Sequence, residues 1–209
     1  MGPDELRAAA EKRLADFDRR GIDRPDLKRS AVTVTLVTTG AGESATFADG
    51  LAFLLTRRAA TLRRHKKQWA LPGGRADSGE TITETARREL AEELGLHLGE
   101  DAVLGLLDDY ATRSGYVITP VVLWGGEVGE LTPNPDEVSL LLRIPFAQID
   151  VEPRFITIPE SDSPVIQVPL FDRLVHAPTG AVIYQAREVL LHGRPTRVDH
   201  LEQPVFAWR

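Results

Sequence analysis

Cysteine is absent from the 209-residue chain. This excludes disulfides, thiolate catalysis and zinc–thiolate sites. No stretch of about 18 apolar residues is present, and the N-terminus has no apolar region typical of a signal peptide, so we expect no transmembrane helix and a cytoplasmic location. The net charge of −6 and the pI near 5.4 argue against binding to a nucleic-acid backbone as the main task.

The composition is that of a soluble globular protein, with 42% hydrophobic and 27% charged residues. Its length suits one domain with a full core and terminal additions. We therefore expect a single folded domain.

One segment reads as an amphipathic helix with defined ends. Thr81 and Glu84 have the spacing of a capping box, so the helix should begin near Ile82. Gly95 follows the last residue of the apolar repeat, as expected for the residue that ends a helix. The apolar stripe that would face the core consists of Ile82, Ala86, Leu90 and Leu94.

Three glutamates of this helix converge beside the apolar stripe. Glu89, Glu92 and Glu93 stand at positions i, i+3 and i+4, and Glu93 projects toward the apolar sector. Crowded carboxylates repel one another and are costly to desolvate, and a hard divalent cation relieves both effects. The alternative is a solvated acidic face paired with Arg87 and Arg88.

The turn before the helix, Leu71-Pro72-Gly73-Gly74, favours the metal site over the solvated face. Two glycines let the backbone approach a ligand closely, and a free carbonyl in the turn can join a metal shell.

The spacing of these residues resembles the Nudix box. Five residues separate Gly74 from Glu80, and seven more lead to Arg88-Glu89-Leu90, then Glu92-Glu93 and Gly95-Leu96. The resemblance implies an α/β fold, a Nudix-type α/β/α sandwich with a mixed central sheet. It also implies a hydrolase that cleaves a diphosphate linked to another moiety with Mg²⁺ or Mn²⁺.

The resemblance also implies roles for individual residues. The metal ligands would be Glu89, Glu92, Glu93 and the carbonyl of Gly73. Glu80 and Arg88 would brace the carboxylates. Three candidates stay open for the general base: Glu89, Glu93 and Glu137 on a downstream loop.

The segment upstream of the box resembles the extra motif of the coenzyme A pyrophosphatase branch. The matching residues are Leu54, Leu55, Thr56, Arg58, Ala59, Arg63, Pro72, Gly73 and Gly74. Lys67 and Leu71 depart from the motif, which has Gly and Phe at these positions. Residues 112–122 and 134–138 are also similar to this branch.

The cations of this upstream segment suit coenzyme A, which carries a 3′-phosphate besides its diphosphate. They are Arg57, Arg58, Arg63, Arg64, Lys66 and Lys67. We assign Arg57, Arg58 and Arg63, with Gly74, to substrate binding, because arginine binds phosphate in a bidentate manner. At least two or three of the cations should be solvated, as should His65.

Three functions stay open. The first is cleavage of coenzyme A to 4′-phosphopantetheine and 3′,5′-ADP. The second is cleavage of ADP-ribose, NADH or another nucleoside diphosphate derivative, and the third is a nucleotide sensor without catalysis. Sensors of this kind usually lose box glutamates, which are all present here. Two roles are open for Tyr110 and Tyr116: they could stack on adenine, or they could pack in the core.

The remaining elements follow from periodicity and turn residues. We predict a helix over residues 4–20, strands over 31–38, 51–56, 102–112, 116–124 and 138–144, and a short helix over 145–149. Pro178-Thr179-Gly180 would form a turn before a strand at 181–184, followed by a helix at 185–191.

The chain then divides into three parts. They are an N-terminal helix and linker at 1–30, the Nudix-like domain at 31–193 and a tail of undefined role at 194–209. For the tail we consider a final strand or a contact in a homodimer.

Overall fold

A mixed β-sheet forms the centre of the fold in the computed structural model, which describes residues 1–40, 46–60 and 68–207. The helices are α1 (Pro3–Ala15), α2 (Phe47–Gly50), α3 (Ile82–Leu94), α4 (Phe146–Ile149) and α5 (Thr179–Leu190). The strands are β1 (Lys28–Thr38), β2 (Leu51–Arg58), β3 (Trp69–Ala70), β4 (Gly73–Arg75), β5 (Val103–Leu106), β6 (Tyr110–Ala111), β7 (Tyr116–Gly126), β8 (Val138–Pro145), β9 (Arg154–Ile158), β10 (Ser161–Leu170) and β11 (Arg173–His176).

The central sheet combines parallel and antiparallel pairs. β1 and β7 run parallel over ten residue pairs, from Lys28 opposite Tyr116 to Val37 opposite Gly126. β2 pairs antiparallel with β1, β3 and β8, while β4 pairs antiparallel with β1, and β5 and β6 with β7. Strands β9, β10 and β11 form a second, antiparallel sheet. The predicted α/β fold with a mixed sheet is confirmed.

Helices cover both faces of the central sheet because its strands alternate apolar residues between the two sides. On β1, Ala31 and Val37 pack in the core with α3, whereas Val34 and Leu36 pack in the core with α1 and α5. The predicted apolar stripe of α3 lies in the first of these cores. The two cores give the expected sandwich of helix, sheet and helix.

The first helix is shorter than predicted. It ends at Ala15, not at residue 20, although Phe17 is still buried. The backbone N–H of Arg20 donates to Asp108 at 2.7 Å, and that of Ile22 donates to Asp109 at 2.8 Å. These contacts with a distant segment hold residues 20–22 outside a helix.

The prediction for residues 178–191 was wrong at its start. Thr179–Leu190 is one helix, so residues 181–184 are not a strand, and Pro178 stands at its N-cap. Proline is tolerated there because the first N–H groups of a helix have no partner within the helix. Gly180 lies inside the helix against β11, where a Cβ would come within 3.1 Å of the Val175 carbonyl carbon.

The C-terminal tail packs on its own chain. Val198 and Leu201 are buried, and the Glu202 N–H donates to the Pro164 carbonyl at 2.8 Å. In place of the final strand that we considered for the tail, the structure has one isolated parallel β-bridge between Val165 and Glu202. Among the described residues, no helix is long and apolar enough to cross a membrane.

Candidate active site

The ends of α3 are fixed by the capping residues that the sequence predicts. Thr81 accepts the Glu84 N–H at 3.2 Å, and the Glu84 carboxylate accepts the Thr81 N–H at 2.8 Å. Gly95 ends the helix in the left-handed conformation, with φ at 68°. These caps define where α3 begins and ends, and the position of each glutamate on the helix surface follows from the helical repeat between them.

Arg88 lies at the centre of the acidic cluster. Its Nε donates to Glu80 at 2.7 Å, and its Nη1 donates to both Glu89 and Glu92 at 2.9 Å. Nη2 donates to the Arg75 carbonyl at 3.1 Å, which ties α3 to β4. The guanidinium therefore binds one oxygen of each of two candidate metal ligands.

Glu80 in turn orients Arg88. Its carboxylate accepts the Asp77 N–H at 2.9 Å and the Thr85 hydroxyl at 3.0 Å. The hydrogen bond from Arg88, followed by that from Asp77, lowers the pKa of Glu80 to about 2. Glu80 is consequently charged at neutral pH and remains paired with the arginine.

Glu93 is the most deeply buried carboxylate of the cluster, with 3% of the residue exposed. Burial raises its pKa to about 8, against the attraction of Arg58 and with repulsion from Glu89 and Glu137. A hydrogen bond from the backbone N–H of Gly73 acts in the opposite direction and lowers the pKa. Burial also raises the pKa of Glu89. Both carboxylates thus lie where their negative charge is poorly compensated by the protein.

The two glycines of the turn are required for different reasons. A Cβ on Gly73 would come within 2.7 Å of the Val32 Cα, and its φ of 154° disfavours other residues. A Cβ on Gly74 would come within 2.6 Å of the Glu89 carboxylate oxygen Oε2. Gly74 therefore leaves the space in which the Glu89 carboxylate lies.

We expect Gly74→Ala to lower activity by about a hundredfold with little loss of stability, because a displacement of about 1 Å at a catalytic group can cost that much. The added methyl meets the flexible end of Glu89 rather than backbone. The kcat and the melting temperature of the variant test this. Gly129→Ala is the control, since a Cβ there meets nothing within 4 Å. Activity in Gly74→Ala equal to that of this control would contradict the assignment.

The glutamates of α3 fit a hard divalent cation by their chemistry. They offer carboxylate oxygens, the ligands that Mg²⁺ and Mn²⁺ prefer. Glu93 is buried and Glu89 half-buried, and burial raises the pKa of both. As the side chains stand, no three Asp, Glu or His residues of the described segments form a metal-holding group. Arg88 holds one oxygen each of Glu89 and Glu92, so these two would turn toward a bound ion.

A downstream loop brings Glu137 to the same place. The Asn134 N–H donates to the Glu93 carbonyl at 2.8 Å, and the Ala59 N–H donates to the Glu137 carbonyl at 2.8 Å. These bonds tie the loop to the end of α3 and to the end of β2. Glu137 is thereby close enough to Glu93 to raise its pKa.

A cleft of about 590 Å³ adjoins this cluster. Arg58, at the end of β2, and the Gly73-Gly74 turn are among the residues that line it. The Arg58 Nε is buried and has no hydrogen-bond partner within residues 1–40, 46–60 and 68–207. Arg57 precedes it on β2. Arg63, together with Arg64, His65, Lys66 and Lys67, lies outside the described residues.

The lining of the cleft also includes parts of the chain for which no role in the site was predicted from the sequence. It includes His176 at the end of β11 and Phe206 in the tail. Tyr116 also lines the cleft, whereas Tyr110 is buried and its hydroxyl donates to the Leu201 carbonyl at 2.7 Å. Core packing is therefore the outcome for Tyr110. For His176 and Phe206 the available signal was their aromatic character. Both lie far from the box along the sequence, so there was no reason to assign them to the site.

Comparison with known families gives a match that covers more than half of the chain. A family model described as NUDIX domain matches residues 27–163. The "Uncharacterized Nudix hydrolase NudL" of Pectobacterium atrosepticum is 44% identical over 94 residues, which are 44% of this chain and 49% of the relative. "Nudix hydrolase 3" of Caenorhabditis elegans is 37% identical over 100 residues, 46% of this chain and 42% of the relative. The chain spans about half the length of the curated relatives it matches.

Solved structures of low sequence identity share the fold. A MutT/nudix family protein from Enterococcus faecalis matches with a TM-score of 0.55 and 18% identity, over 93% of this chain and 78% of that one. The Nudix hydrolase RenU of M. smegmatis matches with a TM-score of 0.51 and 21% identity, over 78% of this chain and 86% of that one.

Proposed function

The chain belongs to the Nudix hydrolase family, and we propose that it hydrolyses the diphosphate of coenzyme A or its derivatives with Mg²⁺ or Mn²⁺. The products would be 4′-phosphopantetheine and 3′,5′-ADP. The substrate would enter the cleft beside α3 with its diphosphate toward the Gly73-Gly74 turn.

The observation that carries this proposal is the position of Arg58. Its residue type and place match the motif of the coenzyme A pyrophosphatase branch, and its guanidinium lies at the cleft, close enough to Glu93 to affect that carboxyl. A buried Nε that finds no acceptor among the described residues costs free energy, which a ligand oxygen can recover. A phosphate oxygen is the acceptor that arginine binds best.

Other residues of the site would bind the metal ion and position its ligands. Glu89, Glu92 and Glu93, with the Gly73 carbonyl, would hold the ion, which when bound supplies positive charge that activates water and stabilises the phosphate oxygens. Arg88 and Glu80 would keep the carboxylates in place through the hydrogen bonds described above.

The general base would be a carboxylate with a raised proton affinity close to the reacting phosphorus. Glu93 and Glu89 meet the first condition in the metal-free protein, where burial raises the pKa of each. Glu137 has the advantage of lying on a separate loop, from which it could accept a proton without being a metal ligand.

A substrate panel tests the proposal. Coenzyme A, dephospho-coenzyme A, ADP-ribose and NADH would each be incubated with Mg²⁺ or Mn²⁺, and the products would be identified by mass. We expect the highest kcat/KM for coenzyme A, with the two products named above. Faster cleavage of ADP-ribose or NADH would assign the chain to another substrate class. Nucleotide binding without cleavage of any substrate would indicate a sensor.

A further inference from the structure

The C-terminal tail forms part of the cleft that adjoins the acidic cluster. Phe206 lines the cleft with 56% of the residue exposed, while its neighbour Ala207 is buried. His176 of β11 lies beside Phe206, with 5.3 Å between ring centroids and an angle of 85° between ring planes. We call these two rings the aromatic wall.

Phe206 follows a segment of the tail that hydrogen bonds attach to the rest of the chain. Glu202 accepts from Arg113 Nε at 2.9 Å, and its own N–H donates to the Pro164 carbonyl at 2.8 Å. The Tyr110 hydroxyl donates to the Leu201 carbonyl at 2.7 Å. A ring carried by an anchored segment loses little conformational freedom when it contacts a ligand.

The lining of the cleft combines two kinds of chemistry. Arg58 and the glycine turn, which contacts α3, suit phosphate. The aromatic wall offers uncharged ring surface, since burial lowers the pKa of His176 and its Nε2 lies 3.1 Å from the Gln167 amide nitrogen. Arg173 of β11 also lines the cleft, and its guanidinium is paired with Asp172 at 3.4 Å.

We propose that the aromatic wall binds the base of the nucleotide half of the substrate, with Phe206 stacking on the ring. The inference rests on the proposed function, because a diphosphate held beside α3 places the attached nucleoside farther along the same cleft. Planar bases stack on aromatic side chains whatever their hydrogen-bonding edge. The flexible chain of pantetheine offers no flat face to an aromatic ring. The tail thus becomes a specificity element outside the Nudix box.

Binding of small probes separates the base from the phosphate. AMP and ribose 5-phosphate differ only by the base, so their dissociation constants would be measured by calorimetry on the full chain. We expect Phe206→Ala to weaken AMP binding by about tenfold and to leave ribose 5-phosphate unchanged, as for loss of one stacking contact. Phe206→Tyr should keep the affinity for AMP. Phe155→Ala is the control, since Phe155 is 49% exposed on β9.

Each outcome decides one claim. Equal AMP affinity in Phe206→Ala and Phe155→Ala would overturn the aromatic wall, as would a loss of affinity for 4′-phosphopantetheine in place of AMP. The hydrolysis rate of the same samples on coenzyme A is measured separately. Failure of the wild-type protein to hydrolyse any diphosphate would reject the proposed function, whereas the comparison of the two probes would still test the wall.

Discussion

Glu93→Gln should lower kcat on the best diphosphate substrate by at least about a hundredfold while the fold is retained. Glutamine has the same shape and can still accept the Gly73 N–H, but it supplies neither negative charge to a cation nor a site for a proton. Because burial already disfavours the charged form of Glu93, its loss should not destabilise the metal-free protein. Steady-state kinetics at saturating metal and circular dichroism measure both effects.

Glu84→Gln is the matched control for this change. Glu84 lies on the same helix but serves the capping box, in which glutamine also functions. We expect wild-type kinetics from it. Near-wild-type turnover in Glu93→Gln would show that Glu93 neither holds the ion nor accepts the proton.

Arg58→Ala should lower kcat/KM by about ten- to a hundredfold, the range for a lost charge-assisted contact of about 1.5–3 kcal/mol. Arg58 lies beside Glu93, so its partner should be the diphosphate, and coenzyme A and dephospho-coenzyme A should lose the same factor. Arg154→Ala, on the exposed strand β9, is the control. If kcat/KM falls for coenzyme A alone, Arg58 binds the 3′-phosphate instead. If kcat/KM is unchanged for both substrates, Arg58 does not bind substrate.

The sequence predicts the acidic helix well because every signal that defines it is local. The Thr81–Glu84 capping box, the apolar stripe and Gly95 lie within 15 residues, and the helix has the predicted bounds. The burial of Glu93 also follows from its position on the helix. Local periodicity therefore suffices for the part of the site that one helix supplies.

Elsewhere, contacts between distant segments override the local signals. The first helix stops early because Asp108 and Asp109 bind the backbone after it. Pro178 and Gly180 look like a turn, but they begin α5, and the missing side chain of Gly180 permits its close approach to β11. The cleft likewise joins β2, β4, β11 and the tail, which no spacing along the sequence reveals.

Metal-dependent thermal stability tests most directly whether the α3 glutamates form a cation site. A ligand that binds the folded state at about a hundred times its Kd adds about 2.7 kcal/mol of stability. Melting temperatures of the wild type, Glu84→Gln and Glu93→Gln would be measured with and without Mn²⁺ or Mg²⁺. We predict that the ion raises the melting temperature of the wild type and of Glu84→Gln by several degrees, and that Glu93→Gln shows no such rise. An equal rise in Glu93→Gln, or none in the wild type at millimolar metal, would contradict a metal site on α3.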